Sequence, residues 1–162
     1  MKNFIVAFII VVFGSCSTTN YYIVRHAEKE TQGSNMSSDV PLSSKGKERA
    51  EALKNVLQDK KIQNIFSTNT IRTKTTAKPT SDATGVNIDT YDPRDTGFAA
   101  RLKTIRTGSS LIVGHSNTVD DIVNKLTGQN LLQDLPDSQY GDLFIVKKKG
   151  NNYSFSKARF GN

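Results

Sequence analysis

The chain has 162 residues and two histidines, and each histidine stands at the end of a run suited to a strand. His26 follows Tyr21-Tyr22-Ile23-Val24 and stands next to Arg25; His115 follows Leu111-Ile112-Val113 through Gly114. A second arginine, Arg72, comes shortly after the segment 64–67 and opens the next helical stretch. Two guanidiniums are rigid forks of donors that match the oxygens of a phosphate. A helix starting just after His115 adds free backbone N–H groups and a positive dipole end. An imidazole among such cations is held neutral, because nearby positive charge disfavours its protonation, and it keeps a lone pair. The set binds an anion and contains a nucleophile, and phosphoryl transfer through a covalent intermediate is the chemistry it suits. The competing use is a metal site in which His26 and His115 join Asp92 or Glu28; the arginines oppose it, since like charge repels the ion. There is no Walker loop and no Rossmann glycine pattern, and Gly114 stands alone.

The elements that must position these residues are legible from periodicity. Residues 21–24, 64–67, 86–91 and 111–113 read as strands. In LSSKGKERAEALKNVLQ, Ala50, Leu53 and Leu57 fall at helical spacing, with Ser43 or Ser44 as cap and Gly46 as a cost in the first turn. The threonine-rich stretch 71–78 is expected to be a short helix ended by Pro79, and 96–106 another, with Phe98, Leu102 and Ile105 on one side. Val119, Ile122, Val123 and Leu126 mark an amphipathic helix, with Asn117 as its candidate cap and Gly128 at its exit. Residues 143–147 and 153–156 close the chain as a hairpin whose end carries Lys147, Lys148 and Lys149, read as a solvated tip. Strands alternating with helices imply an α/β three-layer sandwich with a mostly parallel central sheet and a C-terminal hairpin. In such sheets functional groups lie beyond the carboxyl ends of the strands, and that rule puts Arg25, His26, Arg72 and His115 on one edge.

The first residues do not belong to this domain. Lys2 and Asn3 precede the apolar run 4–13, and Gly14, Ser15 and Cys16 follow. That is the layout of a signal peptide, too short to span a bilayer as a helix. Cys16 is the chain's one cysteine, so it has no internal disulfide partner. FGSCS resembles a bacterial lipoprotein box. It implies cleavage after residue 15, a lipid on Cys16, and attachment at the cell envelope on a periplasmic or outer face; plain secretion and a retained anchor are the alternatives. Residues 16–20 would form a tether of about 17 Å, leaving 21–162 as the domain. The formal charge is +7, one less without Lys2. This favours anionic ligands and acidic surfaces. It does not indicate nucleic acid, because the cations are scattered in sequence and aromatics are not interleaved with them.

Four segments, in order, resemble the histidine phosphatase superfamily, whose fold is shared with phosphoglycerate mutases. They are RHAEK at 25–29, LSSKGKERA at 42–50, STNTIRTKTTA at 67–77 and VGHSNT at 113–118. The resemblance implies a phosphomonoester hydrolase with no metal or organic cofactor. His26 would be the nucleophile and carry the phosphoryl group, held by Arg25, Arg72 and His115. Many members use a carboxylic acid after the third strand to protonate the leaving oxygen. Here the candidates are Asp92, nearer the strand exit, and then Asp95; Asp92 could instead simply close the turn before Pro93. Compact members that act on phosphohistidine in proteins lack this acid. The readings are therefore a phosphatase acting on a small phosphorylated substrate, a protein phosphohistidine phosphatase, or a non-catalytic phospholigand-binding lipoprotein. Position 96 is only four residues on from Asp92, which leaves no room for a large lid.

Overall fold

The structure, a computed structural model, describes residues 18–31 and 39–161. The expected signal segment and Cys16 lie outside the described residues. One six-stranded sheet organises the chain, in the order β3-β2-β4-β1-β5-β6. Its strands are β1 (Thr18–Arg25), β2 (Ile62–Thr68), β3 (Ile88–Tyr91), β4 (Gly108–Gly114), β5 (Asp142–Lys149) and β6 (Asn152–Arg159). The strands β3, β2, β4 and β1 are parallel, whereas β5 and β6 run antiparallel. The mostly parallel sheet and terminal hairpin match expectation. The helices are α1 (Ser44–Leu57), α2 (Ile71–Thr84), α3 (Phe98–Thr104) and α4 (Val119–Thr127).

Alternation along β1 builds the three layers. Tyr21 and Ile23 enter the core shared with Phe98 and Leu102 of α3 and Val119, Ile122 and Val123 of α4. Tyr22 and Val24 enter the core shared with Leu53 and Leu57 of α1 and Ala77 of α2. Because successive strand side chains point to opposite faces, a one-residue slip would exchange these two sets and turn Arg25 and His26 the wrong way.

Three expected boundaries move. Thr18, Thr19 and Asn20 are not a tether but the start of β1, because β4 and β5 flank them: Thr19 pairs with Gly108 and Thr18 with Lys149. Helix α2 does not stop at Pro79 but runs through it to Gly85, which takes φ +71° as its C-cap. A proline inside a helix forfeits a hydrogen bond and costs about 3 kcal/mol. Burial of Thr73, Thr76, Ala77 and Thr80 on the sheet and against α1 keeps the helix continuous. Helix α3 is shorter than expected, at seven residues.

Gly46 answers the question its place in α1 raises. A Cβ there would lie 2.1 Å from the carbonyl oxygen of Glu28, so only glycine lets the first turn of α1 rest on the backbone leaving β1. Ser43 caps this helix by accepting from Gly46 N at 3.1 Å.

Candidate active site

The strand exits bring Arg25, His26, Arg72 and His115 together. His26 N donates to Gly114 O at 2.9 Å, tying the exit of β1 to that of β4. The His26 and His115 rings stand edge to face with centroids 5.5 Å apart. Arg72, in the first turn of α2, places Nη2 3.5 Å from His115 Nδ1.

Hydrogen bonds assign the protons. His26 is 4% exposed. Its Nδ1 lies 2.8 Å from Ala27 O, and a carbonyl only accepts, so Nδ1 carries the hydrogen and the lone pair sits on Nε2. Burial drives the His26 pKa down to about 3, and the charges of Arg25, Arg72 and His115 add to it, against the pull of the Ala27 carbonyl. His115 has the opposite tautomer. Arg72 only donates, so the facing Nδ1 is the acceptor, and Nε2–H donates to Thr68 Oγ1 at 2.9 Å. The Thr68 hydroxyl donates in turn to Thr73 Oγ1 at 3.0 Å, and the Thr73 hydroxyl donates back to Thr68 O at 2.8 Å. Burial, then Arg72 and Arg25, lower the His115 pKa to about 4, with Asp39 opposing.

Each arginine is held at its far end and unsatisfied at its near end. Arg25 Nη1 donates to the carbonyls of Pro136, Asp137 and Gln139 at 2.8, 3.1 and 3.2 Å, and Nη2 reaches Asp137 Oδ1 at 3.2 Å. Its guanidinium lies 4.6 Å from the Tyr140 ring centroid, and that ring also flanks His26 at 6.2 Å. Asp39 accepts from Ile71 N at 2.9 Å and from Arg72 Nη1 at 3.5 Å. The Nε atoms of both Arg25 and Arg72 are buried with no protein partner. A buried donor left unpaired costs about 1–3 kcal/mol, more when charged, and an anion between the two arginines would remove that cost.

Neither expected acid is poised. Asp92 is exposed, and its Oδ1 accepts from Arg94 N at 2.9 Å, closing the turn before Pro93, while Oδ2 binds Arg94 Nη2 at 3.0 Å. These bonds hold its carboxyl below the ordinary aspartate value, the opposite of what a proton donor needs. Asp92 does line a cavity of about 380 Å³ with His115, Thr68, Thr70 and Arg94. Asp95 is turned away: it accepts from Gly97 N at 2.8 Å and from Arg101, and its pKa is lowered by those bonds, Arg101 first. Both carboxylate oxygens of Glu28 accept from Arg49, from Nε and Nη2 at 2.7 Å each, and Glu28 does not join the histidines. Among the described residues no group of three or more His, Cys, Asp or Glu is placed to hold a metal.

Other site residues are ones that sequence patterns do not single out. Thr76 Oγ1 accepts from Ala27 N at 3.0 Å and fixes the chain after His26. Thr118, not Asn117, precedes α4; its hydroxyl accepts from His115 N at 2.7 Å instead of capping the helix. Gly114 is required there, since a Cβ would meet Thr118 Oγ1 at 2.7 Å and the Tyr91 hydroxyl at 2.8 Å. In sequence the threonines of STNTIRTKTTA mark only a short helix; their hydroxyls, which bond at this site, were the available signal.

Residues 21–94 match the family model described as histidine phosphatase superfamily, branch 1. The match and the fold together support the histidine phosphatase superfamily. The chain has no match among curated proteins. Its fold resembles that of the protein histidine phosphatase SixA complexed with tungstate, with a TM-score of 0.70 and 18% identity over 86% of this chain and 96% of that one. It also resembles phosphoglycerate mutase from Bacillus anthracis, with a TM-score of 0.65 and 13% identity over 89% and 94% of the two chains. A mycobacterial glucosyl-3-phosphoglycerate phosphatase gives 0.60 and 15% over 88% and 98%. At these identities the likeness is one of fold, and the sandwich is phosphoglycerate mutase-like. The family match and the neighbours named as phosphatases support a phosphatase.

Proposed function

We propose that this histidine phosphatase hydrolyses phosphate monoesters without a metal, through a phosphohistidine on His26. The observation that carries the reading is the pairing of an unprotonated His26 Nε2 with two buried, unpartnered arginine Nε donors. Arg25 and Arg72 bind the phosphoryl oxygens, and His115 completes the anion site once it has taken a proton on Nδ1. The Nε2 lone pair attacks phosphorus, an N–P bond forms and the bond to the leaving group breaks, its electron pair going to the leaving atom. Water then attacks phosphorus, the N–P bond breaks, and phosphate departs with His26 restored. Preorganised cations aimed at the charge of the transferring group supply most of the stabilisation.

The leaving atom must gain a proton, and Asp92 is placed as an ion-pair partner of Arg94 rather than as an acid. That observation favours a second reading: a leaving group that departs without a strong acid, such as the imidazole nitrogen of a phosphohistidine in a protein. The SixA likeness supports it at the level of fold. Lipidation at Cys16 and attachment at the cell envelope remain part of the proposal and favour small phosphoesters met there. The test is phosphate release by the full chain and its His26→Ala form in EDTA, over phosphomonoesters and a phosphoramidate. Turnover that needs His26 and survives EDTA supports the proposal, and the ranking of the panel separates the two leaving-group classes. Release that EDTA abolishes would refute it.

A further inference from the structure

The cations that look scattered in sequence are gathered by the fold. The parallel strands start at one edge of the sheet and end at the other, where the catalytic residues stand. At the starting edge, Lys60 and Lys61 occupy the turn before β2, and Arg106 precedes β4. The end of β5 joins them through its antiparallel register with β1: Lys147 pairs with Asn20, Lys148 with Thr19 and Lys149 with Thr18. Lys60, Lys61, Lys147 and Lys149 are exposed, while Lys148 is held by Lys103 O at 2.5 Å. The acid in the same turn as Lys60 and Lys61 is Asp59.

The chain itself enters at this edge. Thr18 opens β1, and the seventeen residues before it include the apolar run 4–13, with no charge between positions 3 and 18. Whatever holds the N-terminus therefore meets the lysines first. Seven strand steps of about 3.3 Å put Arg25 about 23 Å further on. We propose that the edge formed by Lys60, Lys61, Lys147 and Lys149 is a docking surface for an anionic phospholipid bilayer. It seats the domain on the membrane with the active site facing away, open to substrates in solution. The inference rests on the envelope reading of residues 1–17 for its occupant, and on the lysines for its geometry. Each lysine near an anionic surface strengthens binding about fivefold, within a Debye length.

The test compares full-length protein on neutral phosphatidylcholine vesicles and on vesicles carrying roughly one third phosphatidylglycerol. Binding to neutral vesicles reports residues 1–17, and the difference between the vesicles reports the lysines, so the anchor can fail without the docking surface failing. Lys147→Ser/Lys149→Ser should cut the phosphatidylglycerol-dependent gain about 25-fold and leave phosphate release unchanged. Acetylation of the unmodified protein gives an independent readout: anionic vesicles should protect Lys60, Lys61, Lys147 and Lys149 and leave Lys47 and Lys74, at the active-site edge, reactive. Equal binding of variant and parent to the anionic vesicles, or protection of Lys47 and Lys74 instead, would overturn the proposal. Tighter retention of a DNA or RNA oligonucleotide through the same lysines would overturn the lipid assignment.

Discussion

The opposite tautomers of the two histidines can be read directly, because the chain has no others. Long-range 1H–15N correlation of labelled protein should show His26 protonated on Nδ1 and His115 on Nε2, both neutral at pH 6. The same geometry makes a stability prediction. The folded His26 pKa is about 3 against an ordinary 6.5. The unfolded chain therefore takes up a proton below pH 6.5 that the native state refuses until about pH 3. Stability is whole above pH 6.5 and falls as pH drops through that window. At pH 5 the gap is 1.5 pH units, and at 1.36 kcal/mol per unit the loss from His26 is about 2 kcal/mol. With a urea m-value of about 2 kcal/mol/M, His26 alone should move the midpoint by about 1 M between pH 7 and pH 5, on top of the shift from His115. His26→Gln cannot titrate and should remove about that much of the shift, leaving the part due to His115. A His26 that titrates near 6.5, or two histidines in the same tautomer, would refute the assignment of Nε2 as the nucleophile. So would a variant with the full pH dependence of the parent.

Thr68→Val removes the acceptor of His115 Nε2–H without changing the shape of the pocket; kcat/KM should fall about 10–100-fold, and Thr68→Ser should restore most of it. Gly46→Ala sets a Cβ against backbone at 2.1 Å and should destabilise the fold by more than about 2 kcal/mol in urea unfolding, with Gly46→Val worse. Asp92→Asn should change kcat by less than about threefold on good and poor leaving groups alike. A loss confined to poor oxygen leaving groups would restore Asp92 as the acid and overturn the ion-pair reading.

The meeting of Arg25, His26, Arg72 and His115 at one sheet edge was legible because two signals coincide on them. Apolar runs mark the strands, and the parallel-sheet rule names the edge where their exits must meet. The amphipathic α4 was legible for a similar reason: Val119, Ile122, Val123 and Leu126 are buried, and Gly128 takes the left-handed conformation that ends it. What was not legible depends on distant partners. Thr18 to Asn20 are polar and read as a tether, yet β4 and β5 supply backbone partners on both sides. Pro79 reads as a stop, yet burial of α2 outweighs it. The role of Asp39 depends on its meeting the first turn of α2, and Arg25's far end is held by the carbonyls of Pro136, Asp137 and Gln139, which carry no side-chain signature. Asp92 had the right position for an acid. Its partner two residues on, Arg94, decides its charge, and only geometry could show that the two pair.

The central claim is a covalent phosphoryl group on His26 Nε2. The most direct measurement is rapid quenching of the full chain with a 32P-labelled phosphomonoester into base, followed by peptide mapping. The account predicts label on the peptide carrying His26, stable in base, lost in acid and absent from His26→Ala. Steady phosphate release with no label on that peptide, continuing in His26→Ala, would contradict it.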